Sequence, residues 1–295
     1  MNMVEFQEKF GTEEQCREHL FSMRWPKGFR CPKCGRSEHF NVQSRNLYQC
    51  KACLYQASVT AGTILDKTRT PLVKWFMAMY LMAEDKRGIS ALSLKERIGV
   101  AYQTAWAMCH RIRHAMGARD GGYKMGGVLE MDEAFFGSPT EGGKRGRGTD
   151  KAAVLVSVSH SDEGRPGHAR MKVVENVSGE AVKEFSDGVA LKGSEIRTDG
   201  LRVYKRLAKS GYALNQKNAT PKDESGHLHW AHIVISNAKA FIGGTFHGLD
   251  AKHLQRYLDE FCYRFNRRFF PQGIFPRLVD ACLSAGRITF DELIG

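Results

Sequence analysis

"SEIRTDGLRVYKRLAKSG", residues 194–211, sets a short strand directly before a helix, with one acid, Asp199, at the corner between them. The stretch "GVLEMDEAFFG", residues 127–137, is a second short strand, and it leads to Asp132. Acids at the ends of neighbouring strands can converge, although 67 positions separate these two in the chain. Two converging carboxylates repel each other unless a divalent cation lies between them. The pattern therefore predicts a Mg²⁺ site built by Asp132 and Asp199.

The stretches around these two strands complete a mixed α/β pattern. Residues 152–160 and 169–177 have the composition of strands and are joined by the turn residues of "SDEGRPG". Residues 178–189 form a short helix with Ser178 as its N-cap, and residues 212–215 form a last strand. Strands in succession followed by helix, strand, helix and strand indicate a mixed sheet covered by helices.

Composition narrows the class of partner. The 295-residue chain carries 44 Lys and Arg against 32 Asp and Glu, a formal net charge of +12 and a pI near 9.4. A basic surface favours a polyanionic partner, because phosphate contacts supply most nucleic-acid affinity. No apolar run approaches the roughly 20 residues that span a bilayer, and the first residues lack the apolar core of a signal peptide. We therefore expect a cytoplasmic protein of two or three domains that binds nucleic acid and no membrane.

Four of the eight cysteines have the spacing of a zinc site. They form two C-x2-C pairs with fifteen residues between them: Cys31, Cys34, Cys50 and Cys53. Each pair can form a tight knuckle that aims two thiolates inward, and two knuckles complete the tetrahedral shell of a structural Zn²⁺. Disulfides or redox pairs are the alternative, and a reducing cytosol disfavours them. We predict a zinc ribbon over residues 26–60, with the other cysteines as buried small side chains: Cys16, Cys109, Cys262 and Cys282.

Helical patterns flank the ribbon on both sides. Residues 1–25 are a helical lead-in, with Thr12 as an N-cap before two acids. Residues 70–117 contain an apolar helix and then a helix-turn-helix pattern, in which one helix stops at Gly99 and the next begins at Tyr102. An ordinary helical hairpin with solvated arginines is the alternative. The second helix carries side chains suited to DNA: Gln103, Thr104, His110, Arg111 and Arg113.

Four separate motifs, in this order, resemble those of one known family. They are "RWPKGFRCPKCG" with the second cysteine pair, "LEMDEAFFG" followed by "KRGRG", "IRTDG", and "GGTFHGLDAKHLQRYLDEFCYRFNRR". Together they resemble the transposases of bacterial insertion-sequence family fifteen-ninety-five, over nearly the whole chain from about Cys16 to about Cys282. The resemblance implies a DDE-type transposase. Its catalytic domain would have an RNase H-like fold over residues 125–285, and its zinc ribbon and helix-turn-helix would bind the ends of the element.

On that family's pattern, Asp132 and Asp199 are the first two metal-binding acids, and the third ligand lies on a late helix. The pattern has a Glu seven residues before a Lys; here Lys239 matches the Lys, and His232 stands seven residues before it. Seven residues at about 100° each return to within about 20° of the start, so His232 and Lys239 share a helix face. Asn237 is the alternative third ligand. A neutral imidazole suits Mn²⁺ better than Mg²⁺, and Lys239 is expected to contact a DNA phosphate.

The resemblance also implies an activity and its partners. Such a transposase cuts the phosphodiester bonds at its element's terminal inverted repeats with water, and the freed 3′-hydroxyl then attacks target DNA. Two ends must be brought together, so we expect a homo-oligomer on double-stranded DNA, in the bacterial cytosol and associated with the nucleoid. A catalytically inactive DNA-binding protein derived from a transposase is the alternative. Five further arginines are candidate DNA contacts: Arg145 and Arg147 in a Gly-rich loop as phosphate contacts, and Arg264, Arg267 and Arg268 on an amphipathic helix as residues that line the DNA channel.

Overall fold

The computed structural model describes most of the chain, namely residues 1–137, 151–218 and 226–295. Arg145 and Arg147, two of the candidate phosphate contacts, lie outside the described residues. Among the helices in those ranges, none is long and apolar enough to cross a membrane. The chain divides into two compact units, which are residues 1–116 with 270–295 and residues 117–269.

Ten α-helices and eight strands lie in the described ranges. The helices are α1 (Met3–Phe10), α2 (Glu13–Arg24), α3 (Leu72–Glu84), α4 (Ala91–Ile98), α5 (Tyr102–Gly121), α6 (Gly179–Val189), α7 (His229–Thr245), α8 (Leu254–Phe265), α9 (Ile274–Ser284) and α10 (Phe290–Ile294). The strands are β1 (His39–Val42), β2 (Leu47–Cys50), β3 (Gln56–Ala57), β4 (Val128–Phe136), β5 (Ala152–His160), β6 (Pro166–Val174), β7 (Glu195–Asp199) and β8 (Ala213–Lys217). Short 3-10 helices cover Gln43–Arg45, Arg202–Ser210, Ala251–His253 and Pro271–Gly273.

The first unit combines an antiparallel ribbon sheet, in the order β1-β2-β3, with a helical core. Thr12 accepts the N–H of Gln15 and caps α2, as the sequence predicts. Aromatic rings join α1, α3 and α9, because Phe10 lies 5.0 Å from Phe76 and 5.6 Å from Phe275 between ring centroids. Such pairs stabilise a core beyond the area they bury.

Helices α4 and α5 are joined by a tight turn, as the helix-turn-helix pattern predicts. Gly99 adopts a left-handed backbone with φ of 62° and ends α4. Two side chains suggested as DNA contacts are in the core, however: His110 is fully buried, and buried Arg113 donates to the carbonyl of Ile89 at 3.3 Å. DNA binding by this helix pair stays a prediction, now resting on its exposed first turn, where Gln103 lies.

The second unit is built on a five-stranded mixed sheet in the order β6-β5-β4-β7-β8. Strands β4, β5 and β6 form an antiparallel meander, whereas β7 runs parallel to β4, and β8 runs parallel to β7. The mixed sheet flanked by helices is therefore confirmed, and this strand order is that of the RNase H-like fold. The helix predicted after β7 is a 3-10 helix, and Ser178 caps α6 as predicted.

Alternation along β4 sends its side chains to two separate cores. Met131 packs in the core that includes α6. Ala134 and Phe136 pack in the core that includes α7 and α8. The even-numbered residues of β4, among them Glu130 and Asp132, therefore face α7.

Helix α8 is amphipathic, as predicted, but Arg264 near its end and the two arginines that follow it bind to the protein itself. Arg264 pairs with Glu260 at 3.0 Å, and Arg267 pairs with Asp120 at 2.7 Å. Both arginine side chains are only 11% exposed. Arg268 donates to two backbone carbonyls at the start of β6. The prediction that Arg264 and Arg267 line a DNA channel is therefore wrong, because their guanidinium groups form ion pairs within the protein.

Candidate functional site

The four ribbon cysteines lie together. Their Sγ atoms all fall within 4.8 Å of one another, with 3.5 Å between Cys31 and Cys53 and between Cys34 and Cys50. A tetrahedral Zn²⁺ with Zn–S bonds of about 2.3 Å separates its sulfurs by about 3.8 Å. Within the described ranges, no other group of three or more His, Cys, Asp or Glu side chains is this compact. The cluster is consistent with structural zinc. The remaining cysteines are buried, as predicted: Cys16, Cys109, Cys262 and Cys282.

Two equivalent knuckles present these thiols. In each, the residue after the second cysteine donates its N–H to the carbonyl of the first, from Gly35 to Cys31 at 2.9 Å and from Leu54 to Cys50 at 3.0 Å. Gly35 and Leu54 both adopt a left-handed backbone, with φ of 74° and 58°. That conformation suits glycine and strains leucine, so the second knuckle carries a backbone cost that the first avoids.

Backbone N–H groups favour the thiolate form of two ligands. The N–H of Cys53 lowers the pKa of Cys50. At Cys31, burial raises the pKa, but the N–H groups of Cys34 and Lys33 and hydrogen bonds with neighbouring thiols bring it down to about 7. Zinc binds thiolates, so the knuckles ease the deprotonation that metal binding requires.

The two aspartates occupy matching positions on adjacent strands. Strand β4 pairs with β7 in parallel, and the last registered pair is Glu130 with Arg197. Continuing this register by two residues along each strand puts Asp132 beside Asp199. Both side chains then lie on the face of Glu130, which is the face toward α7. Adjacent strands lie about 4.8 Å apart, so the two carboxylates can reach one cation.

The sequence predicts that Asp132 ends its strand, and this prediction is wrong. Asp132 lies in the middle of β4, which continues to Phe136 because it pairs with β5 along that length. Strand β7, in contrast, ends at Asp199, whose Oδ1 accepts the N–H of Leu201 at 3.1 Å. The site therefore lies where a short strand ends against the middle of a longer one.

Helix α7 places the third predicted ligand beside Asp132. The Nε2 atom of His232 lies 3.3 Å from Oδ2 of Asp132, and the imidazole is 68% exposed whereas the carboxylate is 14% exposed. The hydrogen bond to Asp132 raises the pKa of His232, against the opposing effect of burial. An imidazole this close to the carboxylate can share a cation with it or, without one, hold a proton toward it.

The other two predicted residues of α7 lie away from that contact. Asn237 is exposed, and five residues beyond His232 it is turned by about 140° around the helix. Lys239 is on the face of His232 but about 10 Å farther along the axis. There its Nζ lies 5.7 Å from the centre of the Phe136 ring. His232 is therefore the α7 residue placed to act together with Asp132.

Glu130 is a fully buried acid that is not among the residues predicted for the site. Its Oε1 lies 2.8 Å from Nε2 of His160, and its Oε2 accepts the N–H of Ala231 at 2.6 Å. Leu228, the N-cap residue of α7, offers no side-chain cap, so Glu130 caps the helix from the neighbouring strand. The signal that could have found it is its place two residues before Asp132, on the same strand face.

Glu133, next to Asp132 in the chain, faces the opposite side of the sheet. Its Oε2 accepts the hydroxyl of Tyr204 at 3.0 Å. Burial raises the pKa of Tyr204 well above its usual range, and the charges of Glu133 and Asp132 raise it further. The phenol therefore stays a neutral donor that holds Glu133 on its own side, away from the candidate metal site.

Two family profiles match separate parts of the chain. The ISXO2-like transposase domain matches residues 124–266, and the transposase zinc-ribbon domain matches residues 11–56. The chain is also similar to an uncharacterized protein in transposable element ISH50 of Halobacterium salinarum, with 27% identity over 165 residues. That match covers 50% of this chain and 55% of the relative, so the chain spans about half the length of that relative.

The chain is also similar, at low sequence identity, to two solved structures. The catalytic core domain of BIV integrase is 13% identical, and the match covers 45% of this chain and 82% of that chain with a TM-score of 0.28. The Mos1 transposase paired-end complex with left transposon end is 9% identical, and the match covers 72% of this chain and 80% of that chain with a TM-score of 0.24.

Proposed function

Residues 124–266 form an ISXO2-like transposase domain behind a transposase zinc-ribbon domain, and from this premise we propose that the protein is a metal-dependent DNA transposase. Its substrates are the terminal inverted repeats of a bacterial insertion sequence and a target DNA. It cuts phosphodiester bonds at the repeats with water and joins the freed 3′-hydroxyl to the target. A transposase domain implies DNA binding, and the net charge of +12 supports it.

Two observations support the proposal: His232 lies 3.3 Å from Asp132, and the parallel register of β4 and β7, continued two residues beyond Glu130 and Arg197, puts Asp199 next to Asp132. Carboxylate oxygens are the ligands that Mg²⁺ prefers, and an imidazole suits Mn²⁺, so the donor set fits either ion. An ion held there supplies an activated water and charge stabilisation for the leaving oxygen. Glu130 ties the first turn of α7 to β4 and thereby keeps His232 beside Asp132.

The remaining parts of the chain have proposed roles in holding DNA. The zinc ribbon over residues 26–60 and the helix-turn-helix region over residues 70–117 bind the repeat sequence. The catalytic domain spans residues 125–285, and within it Lys239 binds a phosphate near the cleaved bond. Because two element ends must meet, the active form is a homo-oligomer on DNA, in the bacterial cytosol at the nucleoid.

The proposal is tested by cleavage of a labelled duplex that carries the DNA flanking the coding region. Purified protein is incubated with this duplex and Mg²⁺ or Mn²⁺, and the products are resolved at single-nucleotide length. We expect metal-dependent cuts at the boundary of the inverted repeat with the wild type. Asp199→Ala should reduce them by at least about 100-fold, as for the loss of a ligand whose metal activates the nucleophile.

Asp162→Ala provides the matched control, because Asp162 is an exposed acid in the turn between β5 and β6. This variant should cut as the wild type does. Binding of the duplex by all three proteins with cleavage by none would instead establish the alternative, a DNA-binding protein without catalysis. The observation that favours this alternative is that His232, which is not an acid, stands where the related transposases carry one.

A further inference from the structure

The second unit contains a cavity of about 660 Å³ beside the C-terminal turns of α7. Its walls come from the end of β4, the start of β5 and the segment that follows α7, all within residues 117–269. Its size falls in the roughly 300–1,000 Å³ range of pockets that bind small ligands. None of the residues in the proposed metal site lines it, so it is a separate feature of the same domain.

The cavity combines aromatic walls with cationic groups. Phe136 and Phe246 supply apolar ring surface, and Lys151, Lys239 and His247 supply nitrogen donors. Aromatic side chains bind the faces of nucleobases regardless of their identity, and ammonium groups bind phosphate. A nucleotide carries both a planar base and a phosphate, so it matches both parts of this lining.

Two adjacent glycines in the last turns of α7 provide an independent observation. A helical glycine costs up to about 1 kcal/mol relative to alanine. Neither Gly243 nor Gly244 has a left-handed φ, and a Cβ built on either would meet no atom within 4 Å apart from its chain neighbours and the nearby backbone of its own helix. Packing within the described chain therefore does not require them. Because Gly243 lines the cavity and has no side chain, a ligand in the cavity can contact the helix backbone there.

The cavity lies close to the proposed metal site along α7. Lys239, on the cavity wall, stands seven residues after His232, which is about 10 Å along the helix axis. Stacked nucleotides of one strand rise about 3.4 Å each, so the cavity lies within about three nucleotides of a bond held at the metal site.

We propose that this cavity binds one unstacked nucleotide of the DNA strand, within about three nucleotides of the bond to be cut. The base lies against Phe136 and Phe246, and the phosphate lies toward Lys151 and Lys239. Gly243 lets the sugar or base approach the backbone of α7 closely. The identity of the ligand as DNA rests on the proposed function, whereas the existence of the pocket does not.

The test measures binding of a short single-stranded tetranucleotide that contains 2-aminopurine, by its fluorescence, to the full zinc-loaded chain. Gly243→Ala places a methyl group in the cavity, and we expect it to weaken binding at least tenfold. Gly244→Ala is the matched control, since Gly244 is on the same helix with equally open surroundings but does not line the cavity. It should change binding less than twofold. Both variants should unfold at the temperature of the wild type or above it, because alanine favours the helix.

The outcomes separate this inference from the proposed function. Equal weakening by the two alanine variants, or no fluorescence change with the wild type, would overturn the inference even if the wild type cuts element ends. Inorganic phosphate that displaces all of the tetranucleotide and binds as tightly as the tetranucleotide does would also overturn the inference, because the cavity would then bind a phosphate alone. Selective loss in Gly243→Ala without any cleavage activity would support the pocket and count against the transposase proposal.

Discussion

Replacing Glu130 by alanine removes two contacts at once from the base of the candidate site. The side chain is fully buried, and it caps α7 through the N–H of Ala231 while it binds His160. A hydrogen bond to a charged group contributes about 1.5–3 kcal/mol, so the loss of two predicts a destabilisation of about 3 kcal/mol or more. At about 2–4 °C per kcal/mol, the unfolding midpoint should fall by about 6–12 °C. Glu130→Gln keeps one acceptor for the N–H of Ala231 and should cost about half as much.

Thermal unfolding followed by calorimetry or circular dichroism measures this effect. Glu184→Ala is the matched control, because Glu184 pairs with Lys172 at 3.2 Å while the two side chains remain 76% and 52% exposed. A pair this exposed contributes less than about 1 kcal/mol. Midpoints of Glu130→Ala and Glu184→Ala that agree within about 2 °C would refute the view that Glu130 anchors α7 to the sheet.

Four further predictions follow from the same geometry. Cys34→Ser should lower bound zinc from one ion per chain to a fraction of that in elemental analysis, since it removes one of four ligands; full occupancy would contradict the ribbon site. Leu54→Gly should slow zinc loss to a chelator, because it relieves a left-handed φ of 58° at up to about 1–2 kcal/mol; faster loss would contradict the knuckle geometry. Burial raises the pKa of Asp259 to about 7, above its unfolded value of about 3.9, so the native state holds a proton that the unfolded chain releases and stability falls as pH rises between these values. Asp259→Asn should flatten that fall in midpoints measured across this pH range, and an unchanged slope would count against a protonated carboxyl at this position. His232→Glu should shift the cleavage activity from Mn²⁺ toward Mg²⁺, whereas Asn237→Ala should leave the metal preference unchanged; the reverse pattern would make Asn237 the third ligand.

Features determined within a few residues were predictable from the sequence. The zinc cysteines follow from two C-x2-C pairs, because each knuckle closes its own hydrogen bond within the pair, as at Gly35 and Leu54. Ser178 marks the start of α6 because a cap acts on the first turn that follows it. The order of strands and helices after residue 127 was likewise predictable from local patterns, and the observed sheet confirms the predicted mixed sheet.

Features that depend on distant partners were not predictable in this way. Asp132 was expected at a strand end, yet pairing with β5 carries β4 onward to Phe136. Arg113 was expected on a DNA-binding surface, yet α5 turns it into the core. The role of Glu130 was not predictable because its partners, Ala231 and His160, lie 101 and 30 residues away in the sequence. Whether a residue is buried, or caps a helix in another element, depends on which elements pack together. The spacing of residues within one element does not show which elements these are.

We propose, above all, that Asp132, Asp199 and His232 together bind a divalent ion. Titration of the zinc-loaded full chain with Mn²⁺, followed by electron paramagnetic resonance of free Mn²⁺, tests it without any need to know the DNA sequence. We predict that the wild type and Asp162→Ala remove Mn²⁺ from solution and that Asp199→Ala removes it at least tenfold less tightly. Equal Mn²⁺ binding by Asp199→Ala and the wild type would contradict the claim.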